Sequence, residues 1–200
     1  MLTFALAVVL LVITPGPGVL STAGFGAAYG FKLSLRYVIG LFLGTNLVMF
    51  AVVSGLAAVV LSLPWLRTFL VCASVGYLLY LATKIGFAGT KVAFIEASAP
   101  PGLLGGLFLQ IINPKAYAVN TSLITGFGFA PDNLIYEVSV KFLIHAAIWI
   151  PIHLAWLWAG VILHRLELPP RTQRVINLAM AVAMVGVVGL ALWSTFGENA

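Results

Sequence analysis

The sequence predicts an all-α membrane protein with six transmembrane helices. Of its 200 residues, 62% are hydrophobic and only 8% are charged, whereas soluble domains carry about 25% charged residues. The mean hydropathy is +1.13. Six apolar stretches are each long enough to cross about 30 Å of hydrocarbon as a helix. They cover residues 2–29, 37–63, 66–85, 102–127, 138–163 and 175–196. This composition excludes a soluble enzyme.

The cations indicate topology rather than a nucleic-acid partner. Ten Lys and Arg against five Asp and Glu give a net charge of +5, but they are spread along the chain and form no basic patch. Two cations, Arg67 and Lys141, lie on one side of the predicted membrane. The connections on the other side hold Lys32, Arg36, Lys84, Lys91, Arg165, Arg171 and Arg174. Because cytoplasmic loops carry the excess of Lys and Arg, we expect both termini outside the cytoplasm.

The first apolar stretch is predicted to be a membrane helix rather than a cleavable signal. No cationic segment precedes it, and its apolar pattern continues past Pro15 and Pro17 to Tyr29. A signal peptide has a cationic start and a shorter apolar region.

Proline motifs interrupt the first and fourth predicted helices at matching positions. Pro114 follows Pro15 by 99 residues. An interior proline frees a backbone carbonyl, and broken backbone at membrane depth is tolerated only where it is buried in protein or lines a cavity. Matched breaks indicate a transporter's binding site; the alternative is a pair of packing kinks. The predicted site residues are Pro15, Gly16, Pro17, Gly18, Asn113, Pro114 and Lys115.

The chain divides near Pro100 into two halves of three helices each, about 1–99 and 100–200. Pro64 and Pro169 precede the third helix of each half, and Tyr37 and Tyr136 lie near the start of the second. An odd number of helices inverts the second half relative to the first. We therefore predict one membrane domain over residues 1–200, built from two inverted three-helix repeats.

Lys115 is a cation near the centre of the fourth helix, and no Asp or Glu lies in any of the six stretches. A central cation costs about 2.5–3.5 kcal/mol on insertion scales. Its partner could be a substrate carboxylate or a freed carbonyl, or the side chain could extend to the interface. Lys141 lies near the edge of the fifth helix, where water and headgroups could replace it.

Two histidines of the fifth helix, His145 and His153, are the candidates for proton coupling. They lie eight residues apart, so one helix face carries both, and histidine titrates near physiological pH. The alternative is a pair of hydrogen-bonded core histidines. Asn46 in the second helix and Asn120 in the fourth could line the substrate path, or they could join helices by hydrogen bonds.

Other residues have structural interpretations. Cys72 lies in an apolar run, so we expect a small core residue, and one cysteine can form neither a disulfide framework nor a cysteine metal site. Glu137, like the other acids, is expected in or beside a solvated loop. The spacing of Gly26, Gly30, Gly40 and Gly44 is typical of close helix packing. No motif predicts ATP use, hydrolysis, a metal or a cofactor.

Several motifs occur together in order along the whole chain. They are Pro-Gly-Pro at 15–17, the glycines at 30, 40 and 44, Gly-Tyr-Leu-Leu-Tyr-Leu at 76–81 and Gln-Ile-Ile-Asn-Pro-Lys-Ala at 110–116. This set resembles the LysE/RhtB family of bacterial amino-acid exporters, for which the Asn-Pro-Lys-Ala element is the most diagnostic. The resemblance implies a six-helix integral protein of the bacterial inner membrane, and the distribution of cations then places both termini in the periplasm. The resemblance also implies export of an amino acid or close derivative by proton-coupled antiport.

The chain departs from that family in its acids. Some members are reported to rely on acidic residues in the membrane, whereas here Thr45 and Asn46 follow Gly44 and no carboxylate lies in the second or fourth helix. A zwitterionic or anionic amino acid with an apolar side chain therefore fits better than lysine or arginine. The alternatives are transport of another small metabolite on the same fold, or a non-transporting membrane assembly protein. A homo-oligomer is one option that the sequence leaves open.

Overall fold

The computed structural model of the protein describes residues 1–14, 16–87, 101–166 and 169–196, which form eight α-helices and no strands. The predictions made for Pro15, Lys91 and Pro100 lie outside these residues. The helices are α1 (Leu2–Ile13), α2 (Pro17–Val53), α3 (Leu56–Ser62), α4 (Pro64–Gly86), α5 (Gly102–Ile112), α6 (Pro114–Gly126), α7 (Leu134–Arg165) and α8 (Pro170–Phe196).

Three helical segments in the described chain are long and apolar enough to cross a membrane: Pro17–Val53, Pro64–Gly86 and Leu134–Leu163. The helices α1 and α5 are shorter apolar helices of 12 and 11 residues. The all-α prediction is confirmed for the described residues, and the arrangement of six crossing helices stays a prediction.

Both proline motifs interrupt a helix, as predicted. The first helix α1 ends at Ile13 and α2 begins at Pro17, while α5 ends at Ile112 and α6 begins at Pro114. Proline suits the first helical position, because its missing N–H would have no helical partner there and its φ is already helical. Pro151 behaves differently, since α7 continues through it.

The long helix α2 turns at Gly30, so it contains the end of the first predicted helix and most of the second. Gly30 has φ 74° and ψ −177°, a conformation outside the helical region. A side chain would strain this backbone, whereas glycine adopts positive φ readily. Gly30 is therefore the turn residue of α2, a role that its spacing from the other glycines did not predict.

One face of α2 packs directly against α5 through glycines. A Cβ on Gly40 would collide with the carbonyl oxygen of Leu103, and a Cβ on Gly44 would lie 2.9 Å from the carbonyl oxygen of Leu107. Gly106 of α5 lies equally close to the backbone of α2. The packing roles predicted for Gly40 and Gly44 are confirmed.

The first part of α2 packs against α7 in the same way. A Cβ on Gly26 would come within 2.6 Å of the carbonyl oxygen of Leu157, and a Cβ on Gly160 would collide with the carbonyl oxygen of Ala23. The packing role of Gly26 is thus confirmed. Small residues allow two helix backbones to approach this closely, so α2 is held between two helices from the second half of the chain.

The prediction that Lys141 is a replaceable edge cation is wrong. Its side chain is 1% exposed, its Nζ lies 2.7 Å from Oε1 of Glu137, and it donates a hydrogen bond of 2.7 Å to the carbonyl oxygen of Ile124. Glu137 is buried as well, and its Oε2 accepts hydrogen bonds from the backbone N–H groups of Phe129 and Ala130. Glu137 and Lys141 both lie in α7, four residues apart, so they share one helix face. The end of α6 and the connection that follows it cover this face.

The prediction that Cys72 is a core residue is also wrong, because the structure places it on an exposed position of α4. An apolar run around a residue does not distinguish a core helix face from a face turned toward lipid.

Candidate functional site

A cavity with an open mouth lies between the two helix breaks. Residues from α1, α2, α5, α6 and α7 line it. Its polar wall includes Thr14, Gly16, Asn113, Lys115, His145 and His153. The two breaks are distant in sequence, and the fold brings them to one site.

Lys115 joins the two breaks. Its Nζ donates a hydrogen bond of 2.9 Å to the carbonyl oxygen of Thr14, which follows the last residue of α1. A Cβ on Gly16 would lie 2.8 Å from this Nζ, so the lysine side chain lies across the glycine. Of the partners considered from the sequence, a backbone carbonyl at the first break is the one the structure shows. The end of a helix carries partial negative charge, which favours a cation there.

The N-termini of α2 and α6 differ in how they are capped. Asn113 caps α6, since its Oδ1 accepts a hydrogen bond of 3.1 Å from the backbone N–H of Lys115. The cap residue of α2 is Gly16, which has no side chain to do this, and Gly18 and Val19 of its first turn line the cavity. First-turn N–H groups have no partner within their helix. The N-terminus of α2 therefore offers an anion both backbone donors and partial positive charge.

His145 and His153 lie on the face of α7 that lines the cavity, as their spacing predicts. Their side chains are 1% and 3% exposed. The ring of His153 stacks on Trp149 with 3.5 Å between ring centroids, and its Nδ1 lies 3.1 Å from the carbonyl oxygen of Trp149. A Cβ on Gly18 would lie 3.9 Å from Nε2 of His153, so this histidine contacts the start of α2.

A sequence model of the LysE type translocators matches residues 9–195. The chain belongs to the LysE type translocator family. The resemblance read from the Pro-Gly-Pro and Asn-Pro-Lys-Ala motifs is thereby confirmed.

This LysE type translocator is similar to curated proteins named leucine efflux protein. The protein of that name from Klebsiella pneumoniae subsp. pneumoniae is 29% identical over 131 residues, which are 63% of this chain and 62% of that protein. The one from Salmonella choleraesuis is 28% identical over 130 residues, 62% of this chain and 61% of that protein. The similarity therefore spans less than two thirds of these relatives. No solved structure matches the chain.

The structure brings most of the predicted site residues of the translocator to one cavity. Asn46 is the clearest exception, because it is not among the lining residues and its Nδ2 donates a hydrogen bond of 2.7 Å to the carbonyl oxygen of Phe42. Its neighbour Thr45 lines the cavity instead. Pro114 is likewise not a lining residue. The predicted residues in the cavity wall are Gly16, Pro17, Gly18, Asn113, Lys115, Asn120, His145 and His153.

Sequence reasoning missed several lining residues, among them Thr45, Gln110 and Trp149. Gln110 is buried, and its Oε1 accepts a hydrogen bond of 3.2 Å from Nδ2 of Asn113. Its position three residues before Asn113 on a broken helix could have revealed it. No comparable signal identifies Trp149, since it lies in an apolar run with Ala147, Ile148 and Ile150.

The rest of the cavity wall is apolar. It consists of Leu11, Val12, Val19, Ala116, Val119 and Trp149. Within the described residues no Asp or Glu lines the cavity, and no group of three or more His, Cys, Asp or Glu is placed to hold a metal ion. The site thus combines one cation and a helix N-terminus with an apolar surface.

Proposed function

We propose that this LysE type translocator is a secondary transporter that exports an amino acid with an apolar side chain across the bacterial inner membrane. The observation that carries the proposal is the cavity in which Lys115 and the open N-terminus of α2 lie together. The names of the leucine efflux relatives support the same class of substrate.

The substrate carboxylate binds between Lys115 and the first turn of α2. A lysine ammonium has three donors, and Thr14 accepts from one of them, so two remain for the carboxylate. The N–H groups of Gly18 and Val19 supply further donors on the opposite side. Charge-assisted hydrogen bonds of this kind are roughly twice as strong as neutral ones.

The apolar wall selects the side chain of the substrate. Leu11, Val12 and Val119 offer an aliphatic side chain a surface without hydrogen-bonding groups, and Trp149 adds an aromatic face. The ammonium of a lysine side chain would find no carboxylate among the described lining residues. Burying an unpaired charge is strongly unfavourable, so basic amino acids are excluded.

The transport cycle uses six membrane crossings in two inverted three-helix repeats, about 1–99 and 100–200, with both termini periplasmic. Two observations support this arrangement. The short helices α1 and α5 have 12 and 11 residues, and each is followed by a helix that begins with proline. Transporters built from inverted repeats carry their substrate between such broken helices near the midplane of the bilayer.

Proton antiport drives export, and His145 and His153 are the proton carriers. Both are buried in the cavity wall, and no acidic residue lines the described part of the cavity. Histidine is the side chain that changes charge near neutral pH. The partners of the protein are thus the bilayer, the amino acid and protons.

Counterflow in proteoliposomes tests the proposal. Vesicles containing the purified protein and unlabelled amino acid should accumulate the same amino acid in labelled form, with leucine active and lysine inactive. Lys115→Ala should abolish this uptake, whereas Lys32→Ala, which removes an exposed cation, should leave it intact. Counterflow of no amino acid would contradict the proposal, and counterflow of another metabolite alone would favour a different substrate on the same fold.

A further inference from the structure

Asn120 of α6 has a buried acceptor without a partner. Its Nδ2 donates a hydrogen bond of 2.8 Å to the carbonyl oxygen of Ala116, one turn earlier, and its Oδ1 has no hydrogen-bond partner in the described part of the chain. The side chain is 1% exposed, and it lines the same cavity as Lys115. Buried polar atoms are rarely left unpaired in native structures.

His145 of α7 has the second such atom. Its Nδ1 is buried and has no hydrogen-bond partner among the residues that the structure describes. His145 and Asn120 lie on different helices and line the same cavity. When the proton of the imidazole is on Nε2, Nδ1 is an acceptor, like the amide oxygen of Asn120. The cavity therefore has two hydrogen-bond acceptors in addition to the hydrogen-bond donors of Lys115 and α2.

We propose that Asn120 and His145 bind the ammonium group of the substrate, while Lys115 and the start of α2 hold its carboxylate. This inference rests on the proposed function. An ammonium group has only donors, so it complements two acceptors. Asn120 follows Lys115 by five residues, about 7.5 Å along the helix axis. The two groups are thus displaced along α6 in the wall of one cavity, so each can meet a different end of an α-amino acid.

The substrate ammonium and a proton compete for the imidazole of His145. A protonated imidazole has two donors and a positive charge, so it cannot accept from the ammonium and repels it. The other cationic or titratable groups near His145 are Lys115 of α6 and His153 of its own helix in the cavity wall, and Lys141 one turn earlier, paired with Glu137. The described parts of α1 and α2 add none to this wall. Binding of the amino acid thus requires a neutral His145.

Leucine and 4-methylpentanoate separate the two halves of the site, because they share the carboxylate and the side chain and differ in the amino group. Binding of both is measured to the purified full-length protein. We expect Asn120→Ala to weaken leucine binding about tenfold or more and to leave 4-methylpentanoate binding unchanged, because a hydrogen bond from a charged group is lost. Asn120→Asp keeps a hydrogen-bond acceptor at this position and should still bind leucine. Ser122→Ala, at an exposed position of the same helix, is the control.

Lys115→Ala should weaken the binding of both ligands, because it removes the cation that binds the carboxylate they share. Equal losses of leucine and 4-methylpentanoate in Asn120→Ala, or no loss beyond that of Ser122→Ala, would overturn the inference and leave the proposed function standing. Failure of the unmodified protein to bind leucine or any other amino acid would overturn both.

His145→Gln supplies a second readout. Glutamine keeps an acceptor but does not titrate, so leucine should still bind and its weakening at acidic pH should disappear. Persistence of that weakening would also contradict the inference.

Discussion

Lys115 of α6 donates a hydrogen bond of 2.9 Å to the carbonyl oxygen of Thr14, 101 residues earlier in the chain. This bond connects the start of one interrupted helix to the end of another. A carboxylate that enters the cavity binds the two donors that Thr14 leaves free and attracts the same ammonium group. Substrate binding at Lys115 is therefore expected to change the contact between the two breaks, which links occupancy of the cavity to movement of α1.

Gly16→Ala should reduce transport without unfolding the protein. The new Cβ would lie 2.8 Å from Nζ of Lys115, and the flexible end of the lysine can move away at little cost. The ammonium then leaves Thr14 and the carboxylate site. We expect leucine counterflow to fall about tenfold, the equivalent of about 1.4 kcal/mol. Gly126→Ala, where a Cβ meets nothing within 4 Å, should behave as the unmodified protein; equal losses in the two variants would contradict this role of Gly16.

Lys141→Ala should lower thermal stability rather than act on transport directly. The substitution removes the ion pair with Glu137 and the hydrogen bond to Ile124, and it leaves a buried carboxylate without its cation. A drop of several degrees in the melting temperature is expected, against almost none for Lys32→Ala. The double variant Glu137→Gln/Lys141→Met should recover part of the loss, because no charge is left unpaired. A melting temperature unchanged in Lys141→Ala would show that the pair contributes nothing.

Gly40→Ala should prevent correct assembly. Its Cβ would collide with the backbone of α5 at Leu103, and a backbone cannot move aside as a side chain can. We expect a large loss of monodisperse protein in size-exclusion chromatography. Gly76→Ala is the matched control, since a Cβ there has open space. Normal yields of both variants would be inconsistent with the close contact between α2 and α5.

Replacement of both histidines by glutamine should separate transport from proton movement. In inverted vesicles, leucine-driven proton movement should disappear in His145→Gln/His153→Gln, while counterflow of leucine continues, because exchange does not require a titrating group. Each single variant shows which histidine contributes. Full proton movement in the double variant would exclude both histidines as carriers.

Reporter fusions test the predicted orientation. A periplasm-active reporter after residue 200 and a cytoplasm-active reporter after residue 96 should both work, because the cations of the predicted connections place these points on opposite sides. The reverse pattern would overturn either the count of six crossings or the interpretation of the charges.

The helix breaks could be predicted from the sequence because the effect of proline is local. Pro17 and Pro114 cannot donate a helical hydrogen bond, so each begins a new helix wherever the rest of the chain lies. The glycine contacts of Gly40 and Gly44 were predictable for a related reason, since four-residue spacing puts both on one helix face.

The environment of single polar residues could not be predicted in this way. Asn46 and Thr45 are adjacent in sequence, yet only Thr45 faces the cavity. Lys141 is buried because the end of α6 covers it, a contact between segments that no local pattern encodes. In a chain with apolar residues on every face of its helices, hydrophobic periodicity does not show which face meets protein and which meets lipid.

During synthesis, α2 leaves the ribosome well before the helices that cover its glycines. Gly26 and Gly40 contact α7 and α5, so residues 1–87 can reach the membrane while these backbone surfaces still face lipid. The first half of the nascent chain is then incompletely packed. Its packing against α5 and α7 is completed only after the first half has been inserted. Quality control in the membrane would meet this intermediate in every round of biogenesis, and a chain truncated after α4 would present it permanently.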